Sequence, residues 1–500
     1  MLMRKNEKEF LEAIRVKKEL IKRHERARHK GAVVSLLVAS LTLIVTIFPW
    51  QLLQRENPSL PSETDEVSND NLSEDDILQK DTTQQDTSSP EDEKDELTLP
   101  PSVIALMSTV TSQKVENKTA DQLFTENQMR LAIQLLQKST EEFEGENVLI
   151  SPLSVQLALA MAGNGASGET RIQMEKLVGG KLSLEELNQY LYTFTSRLQA
   201  KGDAKFEIAN SIWFRDDKGL NIEQDFLQLN ANYYGADAYR SPFDDSAVDA
   251  INQWVDVRTD GMIPKIIDEI SPSTMLYLIN ALAFEAQWKD TYDERDVLEG
   301  EFSALGGTVQ PVEYMYSEER SYLENEHVVG FKKSYKGGKY SFVALLPKEN
   351  SEKALANWVS NLSVTELTEI LGKPIEGRVK AKLPKFSCDF SWKVNSALEN
   401  CGMINAFSQL SADFSKMGIY KNSNGEQESF YIGNVMHRTF ITVAEQGTKA
   451  GAVTSIDVPG SAEPGHQEVY EVYLERPFLY MVVDDLTNLP VFIGVLTNVE

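Results

Sequence analysis

Charge along this chain is sorted into blocks, and that sorting limits what each part can fold into. Residues 31–50, GAVVSLLVASLTLIVTIFPW, carry no charged side chain. They stand between a Lys/Arg-rich block, RVKKELIKRHERARHK, and an acidic one, DNLSEDDILQKDTTQQDTSSPEDEKDEL. An uncharged run of about 20 residues is long enough to cross a bilayer as a helix. The cationic flank places the N-terminus in the cytoplasm. A cleaved signal peptide and a buried core helix are the competing readings. The first fits less well, because the basic region is long and the apolar run continues past Val38-Ala39-Ser40, its small-residue candidate. The expectation is a single-pass anchor in the cell membrane: tail 1–30, helix 31–50, and the rest of the chain outside the cytoplasm.

Residues 51–118 are too polar and acidic to bury a core that would offset their ordering entropy, so they are expected to be a disordered tether. VIALMST, Val103 to Thr109, is an apolar island of no evident use within it. The folded domain is expected at 119–500, at the large end for a single domain. A net charge of −27 opposes nucleic-acid binding. The two cysteines, Cys388 and Cys401, lie in or near a helix-forming stretch, WKVNSALENCGM, and read as two buried thiols rather than a disulfide.

Signals for catalysis are thin. There is no Walker loop, dinucleotide turn, HExxH or GxSxG elbow. GNGASGET, Gly163 to Thr170, lacks the Lys-Ser/Thr ending that reaches phosphates and reads as a helix end followed by a turn. His327, His437 and His466 have no ligand spacing, so no metal or cofactor is expected. A Ser-His-Asp triad is not local in sequence and stays open as a membrane-anchored hydrolase, though no motif asks for it.

Periodicity gives the elements. LFTENQMRLAIQLLQKST has helical spacing, and NVLISPLSVQLALAMAG starts a helix at Ser-Pro that is apolar on all sides and therefore buried. FEIANSIWFRDD alternates as a strand, INQWVDVRTDGMI is a helix closed by Gly261, and MLYLINALAFEAQW is a central strand. KYSFVALLPKE and RVKAKLPKF are further strands, and ERPFLYMVVDDLTNLPVFIGVLTNV is a hairpin around DLTN. Helices come early and strands late, which indicates α+β.

Six stretches, in order, carry a resemblance: NVLISPLSVQLALAM, INQWVDVRTDGMI, LINALAFEAQW, LPKF, YIGNVMHRTFITVAEQGTKAGA and ERPFLYMVVDD. From about Phe124 to the C-terminus the chain resembles a serpin. The resemblance implies three β-sheets, about nine helices and an exposed reactive loop near the C-terminus. It implies a monomeric suicide-substrate inhibitor of serine proteases rather than an enzyme. A protease cleaves the loop and forms its acyl-enzyme. The loop then inserts as a strand in the largest sheet and drags the protease with it. The native state is then metastable.

An inserting strand must bury alternate side chains. From Gly447 onward, Thr448, Ala450, Ala452, Thr454, Ile456 and Val458 fall on one face. Lys449, Gly451, Val453, Ser455 and Asp457 fall on the other. The first face is small or apolar throughout, and both charges lie on the second. Non-inhibitory serpins, which serve as binding or storage modules, usually carry bulky, charged or Pro residues here; the inward face of this hinge, Thr448, Ala450, Ala452 and Thr454, has none.

By the same resemblance, Ser151, Ser154, Asn280 and His437 form a hydrogen-bonded cluster where the sheet parts, and Trp288 is the aromatic at its top. Lys385 and Glu445 pair at the insertion point. The reactive bond is expected at Ser461–Ala462, with candidates from Gly460 to His466. No Lys or Arg occurs between Asp457 and Tyr473, which disfavours a trypsin-like protease and suits an elastase-like or subtilisin-like one.

Overall fold

The computed structural model describes residues 97–271, 274–422, 424–428, 430–448 and 468–499, which hold nine α-helices and three β-sheets. Helix α1 spans Gln122–Glu142, with the Asp121 carboxylate accepting from the Phe124 amide at its start. Helix α2, Pro152–Gly163, begins where Ser-Pro predicts: the Ser151 side chain accepts from the Ser154 amide, and Pro152 has no amide to leave unpaired. All of its residues are buried, as a helix apolar on every side requires. Next come α3 (Gly168–Val178), α4 (Leu184–Leu198), α5 (Gln224–Tyr234) and α6 (Asp245–Arg258). The last three are α7 (Ala354–Asn361), α8 (Val364–Gly372) and α9 (Asn395–Asn400).

The first sheet has seven strands, in the order β1 (Ile104–Ala105), β5 (Asp237–Ser241), β3 (Ala204–Arg215), β6 (Leu276–Gln287), β16 (Gly447–Thr448), β15 (Asn434–Ala444) and β12 (Phe386–Lys393). The apolar run of β6 is central, as its lack of a polar face demands. The second sheet runs β17 (Val469–Tyr473), β11 (Ile375–Pro384), β8 (Val309–Glu324), β9 (Val328–Ser334), β10 (Tyr340–Pro347), β18 (Phe478–Asp484), β19 (Leu489–Leu496), β2 (Val148–Ile150). A ninth strand, β7 (Val297–Ser303), pairs with β8. The third sheet is small: β14 (Gln427–Glu428), β13 (Gly418–Lys421) and β4 (Leu220–Ile222). The β18–β19 hairpin turns at DLTN, where Asn488 takes a φ of 55°. Its buried Asp484 carboxylate holds the turn, receiving both Arg197 guanidinium nitrogens at 2.5 and 2.8 Å.

The folded body starts earlier than expected. Residues 97–118, read as the end of a disordered tether, are docked. Leu97, Leu99 and Val103 pack against the cluster of Trp213, Tyr239 and Trp254. Strand β1, from the VIALMST island, pairs antiparallel with β5 at the sheet edge, and the Leu106 amide donates to the Ala238 carbonyl at 2.8 Å. Further on, the Gln113 amide donates to Asn232 Oδ1, and Lys118 pairs with Glu186 at 2.7 Å. The segment shows no periodicity because backbone pairing and a few anchors hold it, rather than a face of its own. Removing residues 1–96 is expected to leave the melting temperature unchanged. Removing 1–118 is expected to cost roughly 2–5 kcal/mol from lost apolar burial, read as a lower urea midpoint.

The expected anchor at 31–50 lies outside the described residues, among which no helix is long and apolar enough to cross a membrane. Cys388, buried in β12, and Cys401, half-buried after α9, are both free thiols. Among the described residues no group of three or more His, Cys, Asp or Glu is placed to hold a metal ion.

Candidate functional site

The site is an opening in the first sheet between β6 and β15. At one end these strands pair directly, Tyr277–Ile279 against Asn434–Met436, in parallel register. At the other end β16 stands between them: Gly447 and Thr448 pair with Gln287 and Ala286 on one side and with Ala444 and Val443 on the other. With a strand between them, β6 and β15 stand two strand spacings apart there, roughly 9–10 Å. The sheet is therefore a fork, closed at one end and wedged at the other by the first two residues of the hinge.

The fork begins immediately after Ile279 and Met436, at Asn280 and His437, and the cluster expected there is assembled. His437 Nε2 accepts from the Ser151 amide at 3.0 Å. Ser154 Oγ donates to the Asn280 carbonyl at 3.4 Å, and the Ser154 amide donates to Ser151 Oγ at 3.2 Å. The start of α2 thus spans the underside of the fork and bonds to both strands. The sequence reading missed two members. Thr439 Oγ1 donates to the Leu149 carbonyl at 2.7 Å, and Asn280 Nδ2 donates to Asn210 Oδ1 on β3.

His437 is 2% exposed, and its burial lowers its pKa to about 4. It is neutral, with Nε2 as acceptor and the ring proton on the other nitrogen. In the unfolded chain it takes a proton near pH 6.5. Its contribution to stability is therefore complete above pH 6.5 and is lost as the pH falls toward 4. The loss totals roughly 3 kcal/mol. The slope of melting temperature against pH between 4 and 6.5 is expected to flatten in His437→Asn, measured against the parent protein.

At the wedged end Gly447 has a φ of 153°, and a Cβ there would lie 2.1 Å from the Ala286 carbonyl oxygen, so only glycine fits. Thr448 is 1% exposed. It faces inward, as the alternation requires of the first residue of its face. Its hydroxyl meets Tyr335 Oη at 2.5 Å, a partner the sequence reading did not include. Tyr335 stacks on Trp288 with ring centroids 4.5 Å apart. Trp288 in turn donates from its indole nitrogen to the Ala444 carbonyl at 2.8 Å and from its amide to Gln446 at 2.9 Å. Lys385 Nζ reaches Glu445 at 2.7 Å and Glu313 at 2.9 Å. Burial opposes ionisation of Glu445, but the Lys385 ammonium holds its carboxyl below the ordinary value. Both partners are partly solvated, so the pair orients the hinge more than it stabilises it.

Ala450, Ala452, Thr454 and the expected reactive bond Ser461–Ala462 lie outside the described residues. The chain resumes before β17, which pairs in parallel with β11 at the edge of the second sheet. The described strands on either side of residues 449–467 therefore lie inside one sheet and at the edge of another.

A model of the serpin (serine protease inhibitor) family matches residues 126–499. An uncharacterized serpin-like protein of Thermococcus kodakarensis is 31% identical over 70% of this chain and 80% of its own. Leukocyte elastase inhibitor A of Mus musculus is 28% identical over 75% of this chain and 98% of its own. The crystal structure of the thermophilic serpin tengpin in its native state is 42% identical, with a TM-score of 0.73 over 79% of this chain and 99% of that one. Thyroxine-binding globulin, 22% identical at a TM-score of 0.65 over 75% of this chain and 99% of its own, shares the fold. With its forked sheet, its glycine-led hinge and this match across most of its length, the chain belongs to the serpin family.

Proposed function

We propose that this protein is a suicide-substrate inhibitor of extracellular serine proteases, held at the cell surface by residues 31–50. The observation that carries the inhibitory reading is β16: two hinge residues already occupy the fork, with Thr448 seated inward. Insertion after cleavage then continues a strand that has begun, so the costly nucleating step precedes the protease. The small, uncharged inward face of Ala450, Ala452 and Thr454 supports continuation under the sheet. The inhibitor named among its relatives supports the same reading.

The target is a protease that accepts small side chains before the cut, elastase-like or subtilisin-like, with cleavage at Ser461–Ala462. Mass spectrometry of the C-terminal fragment after brief exposure to elastase, subtilisin and trypsin tests the specificity. A fragment starting between Ser461 and His466 from the first two enzymes supports it. Preferred cleavage by trypsin at Lys449 would count against it. The anchor is tested by expressing the full chain and residues 97–500 in parallel: the full chain is expected in the membrane fraction, and the shorter chain in the soluble one.

A further inference from the structure

Strand β9 and the residue after it turn Phe331, Lys333 and Tyr335 to the core side, and the two aromatics are 0% exposed. Lys333, between them in register, is 2% exposed. A lysine at an inward strand position is costly unless its ammonium is fully compensated. Here Nζ donates to Glu319 Oε1 at 2.9 Å and to the Asp290 carbonyl at 3.0 Å, and lies 4.3 Å from the Tyr292 ring centroid and 5.5 Å from that of Trp288. Glu319 is itself held by the Ser317 hydroxyl at 2.7 Å. Apart from the Glu319 carboxylate, these contacts converge on one segment, residues 288–292.

That segment grips the hinge. Trp288 N and Nε1 donate to the Gln446 and Ala444 carbonyls, and the Tyr292 amide donates to Glu445 at 3.1 Å. Three successive hinge carbonyls are thus fixed by a stretch of chain that Lys333 props from behind. We propose that Lys333 and Glu319 are positioning residues for loop insertion. Together they keep the 288–292 segment clamped on the Ala444–Gln446 turn, so that β16 stays in register and the cut loop zips in from a fixed start. This inference rests on the inhibitory reading above. No hydrogen bond or ion pair joins either residue to the described hinge residues, 444–448, and the two stand 14 positions apart in sequence.

The test pairs Lys333→Met, which keeps the volume and removes the ammonium, with Glu319→Gln, which keeps an acceptor and removes the charge. Each is titrated against pancreatic elastase, with covalent complex and cleaved inhibitor quantified on denaturing gels beside the association rate and the melting temperature of the intact protein. Insertion in Lys333→Met is expected to slow about tenfold. The partition then moves toward cleaved inhibitor while the association rate stays within about twofold; each single variant leaves one charge unpaired and lowers the intact melting temperature. The double variant Lys333→Met/Glu319→Gln leaves no buried charge, so its melting temperature returns toward the parent's while its partition stays shifted. Glu319→Gln should shift in the same direction and serves if the first variant does not fold. An unchanged partition in both variants, or one that moves only in step with a falling melting temperature, overturns the positioning role. A parent protein that forms no covalent complex overturns the inhibitory reading, and this inference with it.

Discussion

Cleaved in its reactive loop, this protein is expected to melt about 20 °C or more above its intact form. The fork between β6 and β15 is closed at Tyr277–Ile279 and wedged only at Gly447–Thr448, leaving facing stretches of both strands for a new neighbour. About ten residues entering there, the last of them by parting the Tyr277–Ile279 pairing, gain ladder hydrogen bonds on both sides, each worth roughly 0.5–1.5 kcal/mol, for a total on the order of 10–20 kcal/mol. For a domain of this size each kcal/mol moves the midpoint by roughly 1–2 °C. A metalloprotease makes the cut cleanly, since its attacking water forms no acyl-enzyme to trap. Melts of cut and intact protein, followed by circular dichroism, give the comparison. Coincident midpoints would leave a sheet that never accepts the loop.

Thr448→Arg is expected to convert the inhibitor into a substrate. Thr448 is the first inward residue and is bonded to the buried Tyr335 hydroxyl, itself stacked under Trp288. An arginine there brings an unpaired cation among aromatic rings, a cost of roughly 3–5 kcal/mol. Carried into the barrier, that slows insertion by about a hundredfold or more. Deacylation then outruns insertion, the protease leaves active, and the cleaved chain accumulates. Kinetic titration of residual protease activity reads the effect directly, and a Thr448→Arg variant that inhibits stoichiometrically contradicts the alternation argument.

What the sequence could show followed from local pattern. The all-round apolar helix after Ser-Pro, the central strand LYLINALAFEAQ and the DLTN hairpin each carry their own periodicity and stand where that periodicity put them. The members of the fork cluster came from resemblance. Their geometry could not have been read otherwise, because His437 and the Ser151 amide are 286 residues apart in the chain. The same distance problem hid Tyr335 and Thr439. Lys333 left a faint trace: a charge at the inward register of a strand flanked by aromatics asks for a buried partner, although nothing in the sequence points to Glu319. Residues 97–118 were misplaced because backbone pairing at a sheet edge leaves no mark on side-chain composition.

The central claim, that a cut loop enters the fork while its protease is still attached, is tested most directly by incubating residues 97–500 with elastase and with subtilisin and running a denaturing gel. The expected result is a new band near the summed mass of the two proteins. That band should resist boiling in detergent, disappear when the protease serine is blocked beforehand, and form in proportion to the activity lost. Complete cleavage of the loop with full protease activity and no such band, across both enzymes, would contradict it.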